Sequence, residues 1–198
     1  MYQKGSSEPF SFYTYNVITL NTGMTTLWTL PTQFTQYVEE GGETFHISWN
    51  ASNNFNELRN LDNRSLQSMG NLIHTARSPK IDIKNKTYYV RATGFNFVNL
   101  PTVVSGIELR LTSRRYGRAT DDTIELCLNE QSISDNLATL EINPQKIYGG
   151  PTDTWGIENL NLTTVQDSTF GVIFRFQAHP DWPHKDPVLV DSVELRIH

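Results

Sequence analysis

The densest run of ionisable side chains in the sequence is HPDWPHKD, which places His179, Asp181, His184 and Asp186 within eight residues. Imidazole and carboxylate groups at that spacing are metal-ligating types. Pro180 and Pro183 stiffen the same run, and a solvated loop between strands explains its polarity without a metal, which is the favoured reading. Trp182 at the tip of this loop either tucks onto the body of the protein or is displayed to a partner. Arg110, Arg114, Arg115 and Arg118 fall within nine residues and are followed by Asp121 and Asp122. Alone, the arginines would suit an anion or a sugar acid. With both signs in one loop, pairing with the aspartates and neighbouring strands is favoured. Asp121, Asp122 and Asp153 offer oxygen ligands, but the spacing of a calcium loop is missing. The sole cysteine, Cys127, lies between Leu126 and Leu128. A nucleophilic thiol needs an electropositive, accessible niche, and a structural or half-buried thiol is the favoured reading.

The run YGGPTDTWG (148–156) is specified more tightly. Gly149 and Gly150 permit positive φ, Pro151 sets a bend, and Asp153 can bond nearby backbone N–H groups before Trp155 and Gly156. This is either a buried corner, the favoured reading, or a carbohydrate platform. In the second case Trp155 and Tyr148, with Trp182 and Tyr116, would be the contact residues. The sequence contains no G-x-S-x-G elbow, H-E-x-x-H, phosphate loop or G-x-G-x-x-G. No catalytic, cofactor-binding or metal-binding residues are therefore assigned. The N-x-S/T sites at Asn50, Asn63, Asn85 and Asn161 number four, close to the chance expectation for 17 Asn and 36 Ser plus Thr in 198 residues.

The elements that must position these groups read as strands. Ala occurs 6 times, against 68 Val, Ile, Thr, Phe, Tyr and Trp. Branched and aromatic side chains fit a pleated surface, whereas Ala favours helices. Alternation is clear in 44–50, in 87–97, in 103–113 (Ile107, Leu109, Leu111), in 123–129 (Ile124, Leu126, Leu128), in 170–178 (Phe170, Val172, Phe174, Phe176, Ala178) and in 190–198 (Val193, Leu195, Ile197). Runs 10–20 and 25–30 have strand content, residues 1–9 read as an arm, and 51–78 reads as a long loop or a short helix within 54–69. Turn-rich stretches, not amphipathic helices, separate the strands. The expectation is an all-β, antiparallel two-sheet β-sandwich, jelly-roll-like, with an N-terminal extension. Residues 1–48 would form the arm and a possible docking segment, and 49–198 the sandwich. Sixteen Lys plus Arg against 21 Asp plus Glu give a net charge of −5, which argues against nucleic-acid binding. No apolar run approaches 18 residues, which argues against a membrane span, and the first residues lack the apolar core of a signal peptide.

Taken in order, TYYVRATGFNFVNLPTVVSGIELRLTSRR (87–115), DDTIELCLN (121–129), YGGPTDTWG (148–156), VQDSTFGVIFRF (165–176) and VDSVELRI (190–197) resemble a family of jelly-roll-like proteins of tailed-bacteriophage virions and prophages, with WNASNN (49–54) as a further match. The resemblance implies fold-defining positions at Gly94, Gly106, Asp122, Gly149, Gly150, Trp155, Gly156, Phe170, Gly171 and Asp191. It also implies a non-enzymatic structural role in the virion: head decoration, neck, fibre or tail accessory. The partners would be capsid, neck or tail proteins and further copies of the chain, and the protein would be made in the host bacterial cytoplasm. A carbohydrate-binding module that contacts host surface glycans is the alternative.

Overall fold

The computed structural model describes residues 24–38, 46–47, 66–67, 86–115, 119–141, 143–178 and 189–198. The sequence expectations for 1–20, for most of 44–78, for Tyr116 and for the His179–Asp186 loop with Trp182 lie outside the described residues. Two sheets face one another, and alternation along each strand sends one set of side chains between them. Sheet A contains β3 (Leu66–Gln67), β6 (Ile107–Arg115), β9 (Gln145–Gly149) and β11 (Leu189–Ile197), in the order β3-β11-β6-β9. Thr29 bridges Leu195, so the extended segment 25–29 also flanks β11.

Sheet B is centred on β10 (Gly171–Ala178). Along one side of β10 run β4 (Lys86–Thr87) and β5 (Tyr89–Thr93). Along the other runs β7 (Ala119–Leu128), followed by β8 (Gln131–Ser132). Outside β5 lies β1 (Gln33–Tyr37), and β2 (His46–Ile47) makes a short parallel pairing with β4. All other pairings are antiparallel. Counting segment 25–29 as the first strand and β4/β5 as the second, β6, β7, β8, β9, β10 and β11 follow as the third to eighth. The order is then 1-8-3-6 in one sheet and 2-7-4-5 in the other, the double Greek key of a jelly roll. Residues 24–37, part of the expected N-terminal arm, lie along both sheets. Pro31 is buried at the crossing, two residues beyond the Thr29 bridge and two before β1.

The core is the apolar face of the alternating strands. Ile107, Leu109, Leu111, Ile124, Leu126, Phe170, Val172, Phe174, Phe176, Val193, Leu195 and Ile197 are all inaccessible to solvent. The one helix among the described residues, α1 (Leu162–Gln166), is a single short turn that buries Val165. Its N-cap is Asn161, whose side chain accepts from the Thr164 N–H at 3.1 Å. The sequence offered no amphipathic period here, because five residues are too few to display one.

Candidate functional site

The glycine-rich run 148–156 forms a packed corner. Gly149 has φ +74°, and a side chain there would strike the Ile107 carbonyl and the Trp155 ring. Gly150 has an ordinary backbone conformation and only Asp153 near it, so one of the two glycines carries the conformational demand. Trp155 is 1 % exposed and donates from Nε1 to the Ile107 carbonyl at 2.9 Å. The Asp153 carboxylate accepts from the Trp155 N–H at 2.7 Å. Gly156 adopts φ +75° beside Asp135. Both faces of the Trp155 ring are thus in the core, where no sugar can stack. Tyr148 is likewise buried, and its hydroxyl donates to Asp121 at 2.7 Å.

Asp121 lies at the centre of a polar contact between the sheets. Its Oδ2 also accepts from the Lys146 Nζ at 2.7 Å, and the pair is 0 % and 5 % exposed. The pairing of β7 with β10 slips by one residue here: Thr123 faces Arg175 and Asp121 faces Phe176. This bulge leaves Asp122 as the extra residue, so Asp121 turns inward while Asp122 and Thr123 both point outward. Asp122 binds Lys86 at 2.6 Å and Arg175 at 2.5 Å on the outer face of sheet B. The aspartates therefore pair with strand residues far away in sequence, and Arg110 pairs with Glu194. Among the described residues no three acidic, His or Cys side chains converge as a metal site.

Cys127 is buried, and desolvation pushes its thiol up to about 12 despite the opposing charge of Arg91. It is therefore protonated at neutral pH, as suits a structural residue.

The two outer faces differ. On sheet A, the β6–β11 register sets Arg110 opposite Glu194 and Glu108 opposite Arg196. Arg110 holds Glu194 through two N–H groups at 2.8 and 2.6 Å, and Arg196 holds Glu108 with Nε at 2.7 Å. Trp28 of segment 25–29 lies over both guanidiniums, each 4.4 Å from the ring centre. His198 Nε2 lies 2.9 Å from Glu108. Burial pulls the Glu108 pKa upward, but the hydrogen bonds from His198 and Arg196, with their charge, outweigh it and hold the group below its ordinary value.

On sheet B, the outer face is concave, with a groove of about 490 Å³. Ile173 forms its floor, Tyr37, Tyr89 and Arg91 one wall, and Thr123 and Glu125 the other. The end is closed by Glu130 of the β7–β8 turn and by Gln131 and Ser132 of β8. The register explains the hollow. Ile173 on the central strand faces both Arg91 and Glu125, so these opposite charges stand two strand spacings apart, about 9.5 Å, and do not meet. Arg91 instead donates from Nη2 to the Glu130 carbonyl at 2.9 Å, while its Nε is buried without a partner. The aromatic wall is stacked: Arg91 over Tyr37 at 4.7 Å, Tyr37 on Tyr89 at 5.1 Å, and Arg175 over Tyr89 at 3.8 Å. Sequence reasoning missed this groove, because its parts come from five strands and a turn, and only the strand order brings them together.

No protein family, curated protein or solved structure matches the chain. Among the described residues no helix is long and apolar enough to cross a membrane.

Proposed function

We propose that this protein is a structural, non-enzymatic component of a tailed-bacteriophage virion, a jelly roll that assembles through protein–protein contacts as a head decoration, neck, fibre or tail accessory protein. Its partners in this reading are further copies of itself and the capsid, neck or tail proteins, and it is made in the host cytoplasm. The observation that supports it most is the outer margin of β9. The Gly150 N–H donates to Ile107, so in the β6–β9 register the backbone of Tyr148 and Lys146 faces β6 and that of Ile147 faces away. No strand lies beyond β9 among the described residues. Ile147 is 55 % exposed there, and Leu140 in the preceding loop is 57 % exposed. An apolar open edge of this kind invites strand addition by a neighbour.

Light scattering of the full chain, together with co-sedimentation on purified phage particles, tests the proposal. The expected result is an oligomer, particle association, and loss of both in Ile147→Lys with the fold intact. A chain that stays monomeric and never accompanies particles overturns it. The second reading, a module for host surface glycans, is supported by the groove on sheet B and not by Trp155 or Tyr148.

A further inference from the structure

We propose that the groove on the outer face of sheet B binds a short neutral saccharide, an inference that rests on the glycan reading and gives it a site. Three observations carry it.

The first is an acceptor left without a donor. Arg91 lines the hollow but is turned to Glu130, and its Nε is closed to solvent. Across the Ile173 floor, Glu125 makes no hydrogen bond or ion pair among the described residues. Hydroxyl groups both donate and accept. A polyhydroxylated molecule in the hollow can therefore donate to Glu125 and exchange hydrogen bonds with Thr123, Gln131 and Ser132.

The second is charge balance. The described ionic groups around the hollow are three cations, Arg91, Arg175 and Lys86, and three carboxylates, Glu125, Glu130 and Asp122. Arg175 and Lys86 are bound to Asp122, and Arg91 lies 3.6 Å from the Glu130 carboxylate. The balance leaves no net attraction for an ion of either sign. An anionic ligand would meet Glu125, and a cationic one would meet Arg91. The remaining polar groups, on Thr123, Gln131 and Ser132, are neutral.

The third is size and shape. A hollow of about 490 Å³ lies within the range of small-molecule sites, with an apolar floor and a few polar groups on its walls. The Tyr37 and Tyr89 faces are engaged with each other and with arginines, so recognition here is by hydrogen bonds along the walls and not by ring stacking. A shallow site of that kind binds weakly, with a Kd on the order of 1 mM. Repetition in an oligomer would raise the avidity by orders of magnitude.

The test titrates the full chain with the neutral trisaccharides maltotriose, mannotriose and galactotriose by NMR, with a galacturonic acid trimer and a glucosamine trimer as charged controls. The variants are Glu125→Ala, which removes a side chain without partners, Ser132→Trp, which fills the hollow, and Trp182→Ala; all are first checked for unchanged unfolding temperature. The expected result is saturable binding of a neutral trisaccharide, weakened at least about tenfold by Glu125→Ala and by Ser132→Trp, and unchanged by Trp182→Ala. Binding lost in Trp182→Ala but kept in both groove variants overturns the groove and leaves the glycan reading standing. Preference for the charged trimers overturns the assignment of a neutral ligand. Absence of binding by the unmodified chain to any trimer, as a monomer and as an oligomer, overturns the groove and the glycan reading together.

Discussion

On the outer face of sheet A, Trp28 lies over Arg110 and Arg196, and each guanidinium meets a carboxylate on the neighbouring strand. On the outer face of sheet B, Arg91 and Glu125 are present in the same alternating pattern yet do not meet. The cause is register. Where opposite charges sit directly across one strand spacing they close on each other, as β6 and β11 do. Where an apolar strand residue such as Ile173 lies between them, Arg91 turns to Glu130, Glu125 is left without a partner among the described residues, and a hollow opens. The first arrangement seals a face with its own side chains, and the second leaves polar groups for something else to satisfy. The same residue types thus close one face and leave a hollow on the other, decided by which strand sits in the middle.

The largest effects should come from the frame that both faces share, and these set the scale for the comparison. Trp155→Ala removes a side chain that is 1 % exposed and the hydrogen bond to Ile107, and should cost about 4 kcal/mol in urea unfolding. Asp121→Ala should cost about 3 kcal/mol, because it leaves the Lys146 ammonium buried without its carboxylate. Replacing the whole set, as Asp121→Leu with Lys146→Met and Tyr148→Phe, should recover most of that loss, since apolar groups need no compensation. If the triple variant is as unstable as the single, the buried polar contact is not the source of the effect.

The sheet A face comes next. Glu194→Ala should cost about 2 kcal/mol, between the values for exposed and buried pairs, because Arg110 loses a bidentate partner while still beneath Trp28. Glu108 adds a pH signature. Its folded pKa lies below the ordinary value of 4.5, so its contribution is present above about pH 4.5 and is lost as pH falls through the folded value. Glu108→Gln should therefore flatten the fall in unfolding temperature between about pH 5 and pH 3. An unchanged slope would mean that Glu108 is not held by Arg196 and His198 in solution.

Much of the frame was legible in the sequence, and the exceptions have physical causes. The alternation of Ile107, Leu109 and Leu111, and of Val193, Leu195 and Ile197, points to the core because nothing polar interrupts their inward positions. The corner at 148–156 is legible because Gly149 and Trp155 demand it locally. In β9 the pattern is inverted: Lys146 is buried and Ile147 exposed, since Lys146 has a partner on the other sheet. A reader of period two sees no strand there. The bulge that turns Asp121 inward and Asp122 outward is equally silent, because it depends on how β7 meets β10. Residues 25–30 have readable strand content, but the place of Trp28 over the sheet A arginines and the existence of β1 were hidden for a related reason. Their side chains cover finished faces and edges and need no apolar rhythm of their own. The groove is the extreme case, made wholly from register.

The smallest expected effect is the sharpest test of the contrast between the faces. Glu125→Ala should change stability by less than about 0.5 kcal/mol, because the carboxylate has no partner among the described residues to lose. Glu194→Ala, the same substitution on the other face, should cost several times more. The two variants differ little in chemistry, since each removes one acidic group from a strand's outer face. If both prove equally costly, Glu125 is held by something in the free protein and the groove is not the unmet surface its register describes. If Glu125→Ala is neutral in unfolding yet abolishes saccharide binding, one carboxylate separates the face that holds the fold together from the face that is left for a ligand.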